Sequence, residues 1–196
     1  SPTKKINRDF LNFKNVVFLK RLIILIKIMT RKAFKQMASD IDAVITWVNG
    51  SSHQHTASRK KFMAQSASAL HENATNPHRW ICNDEILFCL QSIHHFAPWT
   101  RRIWIVVDDE TPDIKSLPID LQQKITFAFH KQIFGKFVDF LPTFNSLAIE
   151  SLLWKIDGIT EKFMYFNDGV FLAAKLLPID VFLNNKPVLR GTWSNY

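Results

Sequence analysis

The chain has 196 residues and is 47% hydrophobic, with six Trp and 17 Phe against only five Gly and eight Pro. A chain this apolar buries enough surface to offset its ordering entropy, which excludes general disorder and leaves room for one well-filled core plus an appendage. The formal charge of +8 suggests nucleic acid until it is divided along the chain: residues 1–39 carry ten basic side chains against Asp9 alone, a net +9, while the rest holds 15 basic and 16 acidic ones, a net −1. No nucleic-acid partner is expected, because the body lacks a basic face.

The first segment, residues 1–39, alternates basic and apolar residues, most densely in VVFLKRLIILIKIM at 16–29. That stretch is too short and too charged to span a bilayer, and no small-residue cleavage site follows it. A basic amphipathic helix is expected. It can lie in the headgroup layer of an anionic membrane surface through residues 1–35, each nearby Lys or Arg contributing roughly 1 kcal/mol, or it can dock on protein with its lysines solvated. The membrane reading is preferred, which implies a cytoplasmic protein held peripherally on the inner face of the cell membrane.

From residue 40 to 196 short apolar strands alternate with helical periodicity. Residues 41–48 form a β-branched strand stopped by the turn signal Asn49-Gly50. Residues 51–78 are polar and read as a long connection holding a short helix. Asn83 is expected to cap a helix whose buried stripe is Ile86, Cys89, Leu90 and Ile93, closed by Pro98. Cys82 and Cys89 would share one face of that helix, out of easy reach of each other, so no disulfide framework is implied and a reducing compartment fits. Strands follow at 103–107 and 124–129. A second helix over 146–156, with Ile149, Leu152, Leu153 and Ile156 buried, leads to a strand at 163–166, the turn Asn167-Asp168-Gly169, and extended chain again at 170–172.

This alternation predicts an α/β fold around a mostly parallel sheet with flanking helices, in which ligands bind outside the carboxyl ends of the strands. Those ends carry Asn49, Asp108 with Asp109, His130, and Asn167 with Asp168. Asp168 after an apolar strand can hold a hard cation together with a substrate diphosphate, although an Asn-Asp-Gly tripeptide is more often a simple turn. Glu150, one residue past its helix's buried stripe, can reach the same cleft or stay solvated. Arg79, Arg101 and Arg102 offer planar forks for phosphate, and His130 is a candidate general base or a structural residue.

Four segments taken together resemble the Stealth family of sugar-phosphate transferases, which includes bacterial capsule polymerases and the lysosomal-targeting N-acetylglucosamine phosphotransferase. They are IDAVITWVNG at 41–50, Arg79 with NDEILFCLQSIHHFAPWTRRIWIVVDD at 83–109, LPTFNSLAIES at 141–151 and FMYFNDGVFL at 163–172. The resemblance implies a nucleotide-sugar transferase-like fold. It also implies a reaction in which a glycan hydroxyl attacks the β-phosphorus of a nucleoside diphosphate sugar, nucleoside monophosphate leaves, and a phosphodiester-linked capsular or surface polysaccharide results. The implied cofactor is Mg²⁺, or Mn²⁺, and the implied partners are the nucleotide sugar and a glycan acceptor.

By the same resemblance, residues 45–50, with Trp47, Val48, Asn49 and Gly50, line the nucleotide pocket. Asp168 binds the metal and is catalytic with Glu150 at the reacting centre. Arg79, Asn83, Glu85, Thr143, Asn145, Ser146 and Asn167 fall on substrate-binding motif positions. The chain departs from the family where Gly169 stands in place of a second aspartate, Leu152 and Trp154 in place of histidines, and Cys82 in place of an aspartate. Further family segments downstream are expected and are not in this sequence, which reads as a fragment or a diverged member. Two other functions stay open: a non-catalytic, membrane-associated glycan-assembly subunit, and an ordinary glycosyltransferase.

Overall fold

The computed structural model describes residues 40–65 and 80–191. The basic helix expected over 1–39 and the candidate Arg79 lie outside the described residues. Four strands, β1 (Ile41–Thr46), β2 (Ile103–Val107), β3 (Ile125–Phe129) and β4 (Lys162–Asn167), form one parallel sheet in the order β3-β2-β1-β4. Helices α1 (His53–Gln65) and α2 (Glu85–Phe96) lie between β1 and β2, and short α3 (Ile119–Gln122) precedes β3. Short α4 (His130–Phe134) and α5 (Ser146–Glu150) separate β3 from β4. The expected α/β fold with a parallel sheet and flanking helices is the fold observed.

Parallel strands covered on both faces must be apolar at successive positions, and β2, IWIVV, is buried at every residue. On one face Ile41, Ala43 and Ile45 of β1 and Ile103, Ile105 and Val107 of β2 pack with the α2 stripe Ile86, Cys89, Leu90 and Ile93. On the other, Val44, Trp104 and Val106 pack with Ile133, Phe134, Leu153 and Ile156. Each fully buried aliphatic side chain contributes about 1.5–3 kcal/mol through its area removed from water. This three-layer arrangement holds the sheet rigid, so its carboxyl edge can present polar residues at fixed positions.

Several local expectations are corrected. Asn83 does not cap α2. The cap position is Asp84, in the left-handed region at φ 59° with no side-chain cap bond, and Asn83 instead gives both its backbone and side-chain N–H groups to Glu85. Cys82 therefore precedes the helix and does not share a face with Cys89; both thiols are free. The helix expected over 146–156 breaks after Glu150 and resumes as a 3-10 turn at Leu153–Lys155, because Leu152 sits at φ −111°, ψ 0°, outside helical geometry. Its apolar stripe packs as expected all the same, with Leu153 and Ile156 buried and Ile149 and Leu152 against them. Residues 170–172 form no strand; Leu172 is tied to the α2 Ser92 hydroxyl by its N–H at 3.0 Å.

Arg101 is not available for phosphate. It clamps the fully buried Asp42 with Nε at 2.8 Å and Nη2 at 2.6 Å, while Trp104 Nε1 and the Thr160 N–H complete the carboxylate's shell at 2.9 and 3.2 Å. Burial pushes the Asp42 carboxyl up, but these hydrogen bonds outweigh it and hold the group below its ordinary value. The network lies at the amino edge of the sheet, opposite the candidate site. Arg102, beside it, lies over the Trp104 ring at 5.2 Å.

Candidate active site at the carboxyl edge of the sheet

The chain leaves β1 for β2 on one side and returns from β3 to β4 on the other, so the connections diverge above β1 and β4. A crevice opens at such a switch point because no crossover covers it. Here it is a cavity of about 350 Å³, walled by Trp47, Val48 and Gly50 after β1, Asp108 after β2, His130 after β3, and Asp168 with Gly169 after β4. Trp80, Cys82 and Glu85 close it from the start of α2, and Thr143, Phe144, Ser146 and Ile149 from the segment leading through α5. A second cavity of about 250 Å³, holding Asn49, Glu110 and Lys131, shares Val48, His55 and Asp108 with the first.

Gly50 is demanded by this geometry. A Cβ there would meet the Trp80 carbonyl oxygen at 2.6 Å and its Cα at 2.9 Å, so only glycine lets the β1 loop touch the chain entering α2. Trp80 stands beside His55 and Phe144, with centroid distances of 5.4 Å for both His55 pairs, and the Arg59 guanidinium covers Trp80 at 4.1 Å. The result is an aromatic wall along the cavity. Trp47, almost fully buried, also contributes to the lining, and its indole N–H has no hydrogen-bond partner among the described residues.

At the opposite wall Asp168 accepts the Gly169 N–H at 2.9 Å. Burial raises its carboxyl above the ordinary value, the Gly169 bond works against this, and the nearby Glu85 charge raises it further. Glu85 is held below its ordinary value by the Asn83 N–H groups, so it carries its charge toward Asp168. No Lys or Arg pairs with Asp168 among the described residues. A desolvated carboxylate beside a second one, with no cationic partner, is a donor set that fits a divalent cation. No three His, Cys, Asp or Glu side chains form a ready cage among the described residues, so such an ion would complete its shell with diphosphate oxygens and water, as Mg²⁺ commonly does.

Glu150 does not line the cavity. It follows the cavity-lining Ile149 in α5 and stands beside the Tyr165 hydroxyl, whose ionisation is pushed up first by burial and also by the Glu150 charge. Tyr165 Oη meets Thr46 Oγ1 at 3.0 Å and Asn167 Oδ1 at 2.8 Å, linking the ends of β1 and β4. His130 is buried, with Nδ1 3.8 Å from Asp108, and burial lowers its pKa more than the Asp108 and Asp109 charges restore it. It stands as a neutral imidazole in the cavity wall.

Of the residues singled out from sequence, Trp47, Val48, Gly50, Glu85, Thr143, Ser146 and Asp168 meet in the larger cavity. Asn49 faces the smaller one and donates to Glu110 at 3.1 Å. Asn145 caps α5, its oxygen accepting the Leu147 N–H at 3.0 Å, and Asn83 serves Glu85, so both side chains are engaged in local structure. Asn167 is exposed beside Tyr165. Sequence reasoning missed His55, Trp80, Phe144 and Tyr165. Three of these adjoin or sit inside the quoted motifs, Trp80 next to Arg79, Phe144 next to Thr143 and Tyr165 two residues before Asn167, which was the available signal; His55 had none.

A parallel α/β sheet with a polar, aromatic-walled crevice at its switch point defines a nucleotide-sugar transferase-like fold. Two family models match the chain: Stealth protein CR1, conserved region 1, over residues 39–67, and Stealth protein CR2, conserved region 2, over residues 79–189. The chain belongs to the Stealth family. It is similar to an exopolysaccharide phosphotransferase of Streptomyces coelicolor, 43% identical over 145 residues covering 74% of this chain and 23% of that protein. It is also similar to capsular polysaccharide phosphotransferases of Actinobacillus suis, 40% identical over 76% of this chain and 39% of that protein, and of Neisseria meningitidis serogroup B, 36% identical over 74% and 38%. The chain thus spans less than two fifths of the length of these relatives.

Proposed function

We propose that this chain carries the nucleotide-sugar site of a sugar-phosphate transferase. The observation that supports this best is the convergence of four separated segments, the end of β1, the start of α2, residues 143–149 and the end of β4, on one cavity of about 350 Å³. An acceptor hydroxyl oxygen bonds to the β-phosphorus, the bond from that phosphorus to the bridging oxygen breaks, and nucleoside monophosphate leaves. A sugar 1-phosphate is thereby joined to the acceptor as a phosphodiester, which makes capsular or surface polysaccharide the fitting product. Charge spreads over phosphoryl oxygens in such a transition state, so positioning and electrostatics supply most of the acceleration.

Within this reading the aromatic wall of Trp80, Phe144 and His55 packs against the nucleotide, and Trp47 and Gly50 shape its floor. Asp168, with Glu85 behind it, would hold Mg²⁺, which supplies positive charge to the diphosphate when bound. Glu150, kept in place by Tyr165, is assigned to receive the acceptor's proton. Asn167, whose oxygen is engaged by Tyr165, has its amide N–H groups left to donate to substrate oxygens. The test is mass spectrometry of products after the protein is offered a panel of nucleotide sugars with Mg²⁺ and a glycan acceptor. A product heavier by sugar plus phosphate supports the proposal; a gain of sugar alone makes the protein an ordinary glycosyltransferase, and no product makes it a non-catalytic subunit.

The +9 charge of residues 1–39 supports a second part of the proposal, a peripheral position on an anionic membrane surface at the cytoplasmic face. No helix among the described residues is long and apolar enough to cross a membrane. Removing residues 1–35 should release the protein from anionic vesicles in sedimentation, and added salt should act in the same direction. Equal sedimentation of the intact and shortened proteins would leave that segment a protein-docking element.

A further inference from the structure

The segment between α4 and α5 leaves an unusual surface. Phe137 and Phe140 are 40% and 73% exposed, although neither is near a chain end, and with Phe62, Pro142 and Leu152 they line a groove of about 430 Å³. Rings this exposed cost hydration free energy that a folded surface normally avoids, and apolar concavities of this kind are commonly binding surfaces. The groove is not isolated. Thr143 lines both it and the larger cavity, and Pro142 lines both it and the smaller one, so one short run of chain forms the partition between groove and site.

Charge decides what chemistry suits it. Lys136 Nζ lies 5.2 Å and Lys155 Nζ 5.5 Å from the centroid of the Phe137 ring, so two ammonium groups from different segments gather over one aromatic side chain. Neither lysine has a carboxylate within ion-pair distance among the described residues, Asp139 on the same turn included. The lysines flank the groove at Phe137 and do not line it, and a purely apolar partner would not favour two ammonium groups at its edge, because covering them would strip their hydration. A purely electrostatic site would have no use for the exposed Phe140. A ligand that alternates apolar faces with single negative charges satisfies both.

We propose that this groove is a subsite for a phosphodiester-linked glycan, the anionic chain to which the next sugar phosphate is added. The C–H faces of the sugar rings pack on Phe137 and Phe140, and a backbone phosphodiester sits against Lys136 and Lys155. The partition at Pro142 and Thr143 then leads the end of the glycan toward the reacting centre. This inference rests on the transferase reading, in which the growing product carries such linkages.

The test uses the full 196-residue chain and two synthetic tetrasaccharides of the same sugar, one joined by phosphodiesters and one by glycosidic bonds, titrated by calorimetry or NMR. The phosphodiester oligomer should bind about tenfold more tightly, the scale of one charge-assisted contact. The double variant Lys136→Gln/Lys155→Gln should erase that difference, and Phe140→Ser should weaken both oligomers. A nucleotide-sugar titration of each variant should match the parent protein and so reports an intact fold. Equal binding of the two oligomers by the parent protein, a difference that survives the double lysine variant, or binding of neither oligomer overturns the subsite. Product analysis is scored separately: absence of sugar-phosphate transfer with lysine-dependent oligomer binding would sink the reaction and keep the groove.

Discussion

The hydroxyl of Tyr165 stands between Thr46 Oγ1 at 3.0 Å and Asn167 Oδ1 at 2.8 Å, two residues that are register partners at the carboxyl ends of β1 and β4. A phenol has one hydrogen to give, here toward Asn167 or the neighbouring Glu150, so Thr46 must donate to it. The bridge ties together the ends of the two strands whose connections diverge around the crevice, and it orients Asn167, with Glu150 beside the same hydroxyl. Tyr165→Phe removes only the oxygen. The fold should survive with a loss of about 1 kcal/mol, since Asn167 is exposed and water can replace the contact. The kcat for sugar-phosphate transfer should fall by about ten- to a hundredfold, because small displacements at a reacting centre are that costly. Unchanged kcat, with thermal melting confirming the fold, would make the bridge purely structural.

In the proposed site Asp168 would link metal binding to pH. Its carboxyl is raised above the ordinary 3.8 by burial and by Glu85, so its neutral form is favoured in the folded protein. The sign follows: relative to the unfolded chain this group stabilises the fold fully below 3.8, and that contribution is lost as pH rises through the folded pKa. A bound cation needs the ionised form, so Mg²⁺ affinity measured by calorimetry should weaken as pH falls toward that raised value. Asp168→Asn keeps the Gly169 N–H contact and removes a desolvated charge. It should therefore abolish Mg²⁺-dependent nucleotide-sugar binding while leaving thermal stability at neutral pH equal or higher.

Gly169 offers the complementary experiment. A Cβ there meets nothing within 4 Å, so Gly169→Asp fits without strain and adds a second carboxylate at the end of β4. Mg²⁺-dependent binding should strengthen by about tenfold, one extra oxygen ligand from the protein replacing water. If calorimetry finds binding unaffected by both this substitution and Asp168→Asn, the Asn167-Asp168-Gly169 turn has no metal role.

Gly50→Ala should act at the other wall. The added methyl would press on the Trp80 backbone at 2.6–3.0 Å, and backbone cannot swing aside as a flexible side chain can. The turn after β1 must then part from the chain entering α2, carrying Trp80 away from His55. Overpacking of this kind costs roughly 1–3 kcal/mol. Nucleotide-sugar affinity should drop at least about tenfold by calorimetry, and an affinity equal to the parent's would remove the aromatic wall from the binding site.

The Asp42–Arg101 pair governs stability without touching the site. Arg101→Ala strands a fully buried carboxylate and should cost about 3 kcal/mol, the lower end of the range for breaking buried pairs because the Arg101 side chain is 34% exposed. Since the Asp42 pKa is depressed in the fold, its contribution is fully present above 3.8 and is lost as pH falls through the folded value. Denaturant midpoints of the parent protein should fall over that acidic window, and an Asp42→Asn variant should show a flatter dependence there.

Hydrophobic periodicity by itself determined the strands at β1 to β4, the buried stripe of α2 and the parallel α/β class, because a sheet covered on both faces favours apolar residues at successive strand positions, as in IWIVV of β2. It also marked the polar strand ends that became the crevice. What it could not decide was which polar groups are consumed locally. Asn83 and Asn145 spend hydrogen bonds on Glu85 and on the α5 terminus, and Arg101 is drawn to Asp42, 59 residues away in the chain. Only the tertiary structure brought His55, Trp80 and Phe144 into one wall and placed Tyr165 between Thr46 and Asn167. Those contacts join segments up to 119 residues apart, and a local pattern of residue types carries no information about pairings made by the packing of distant elements.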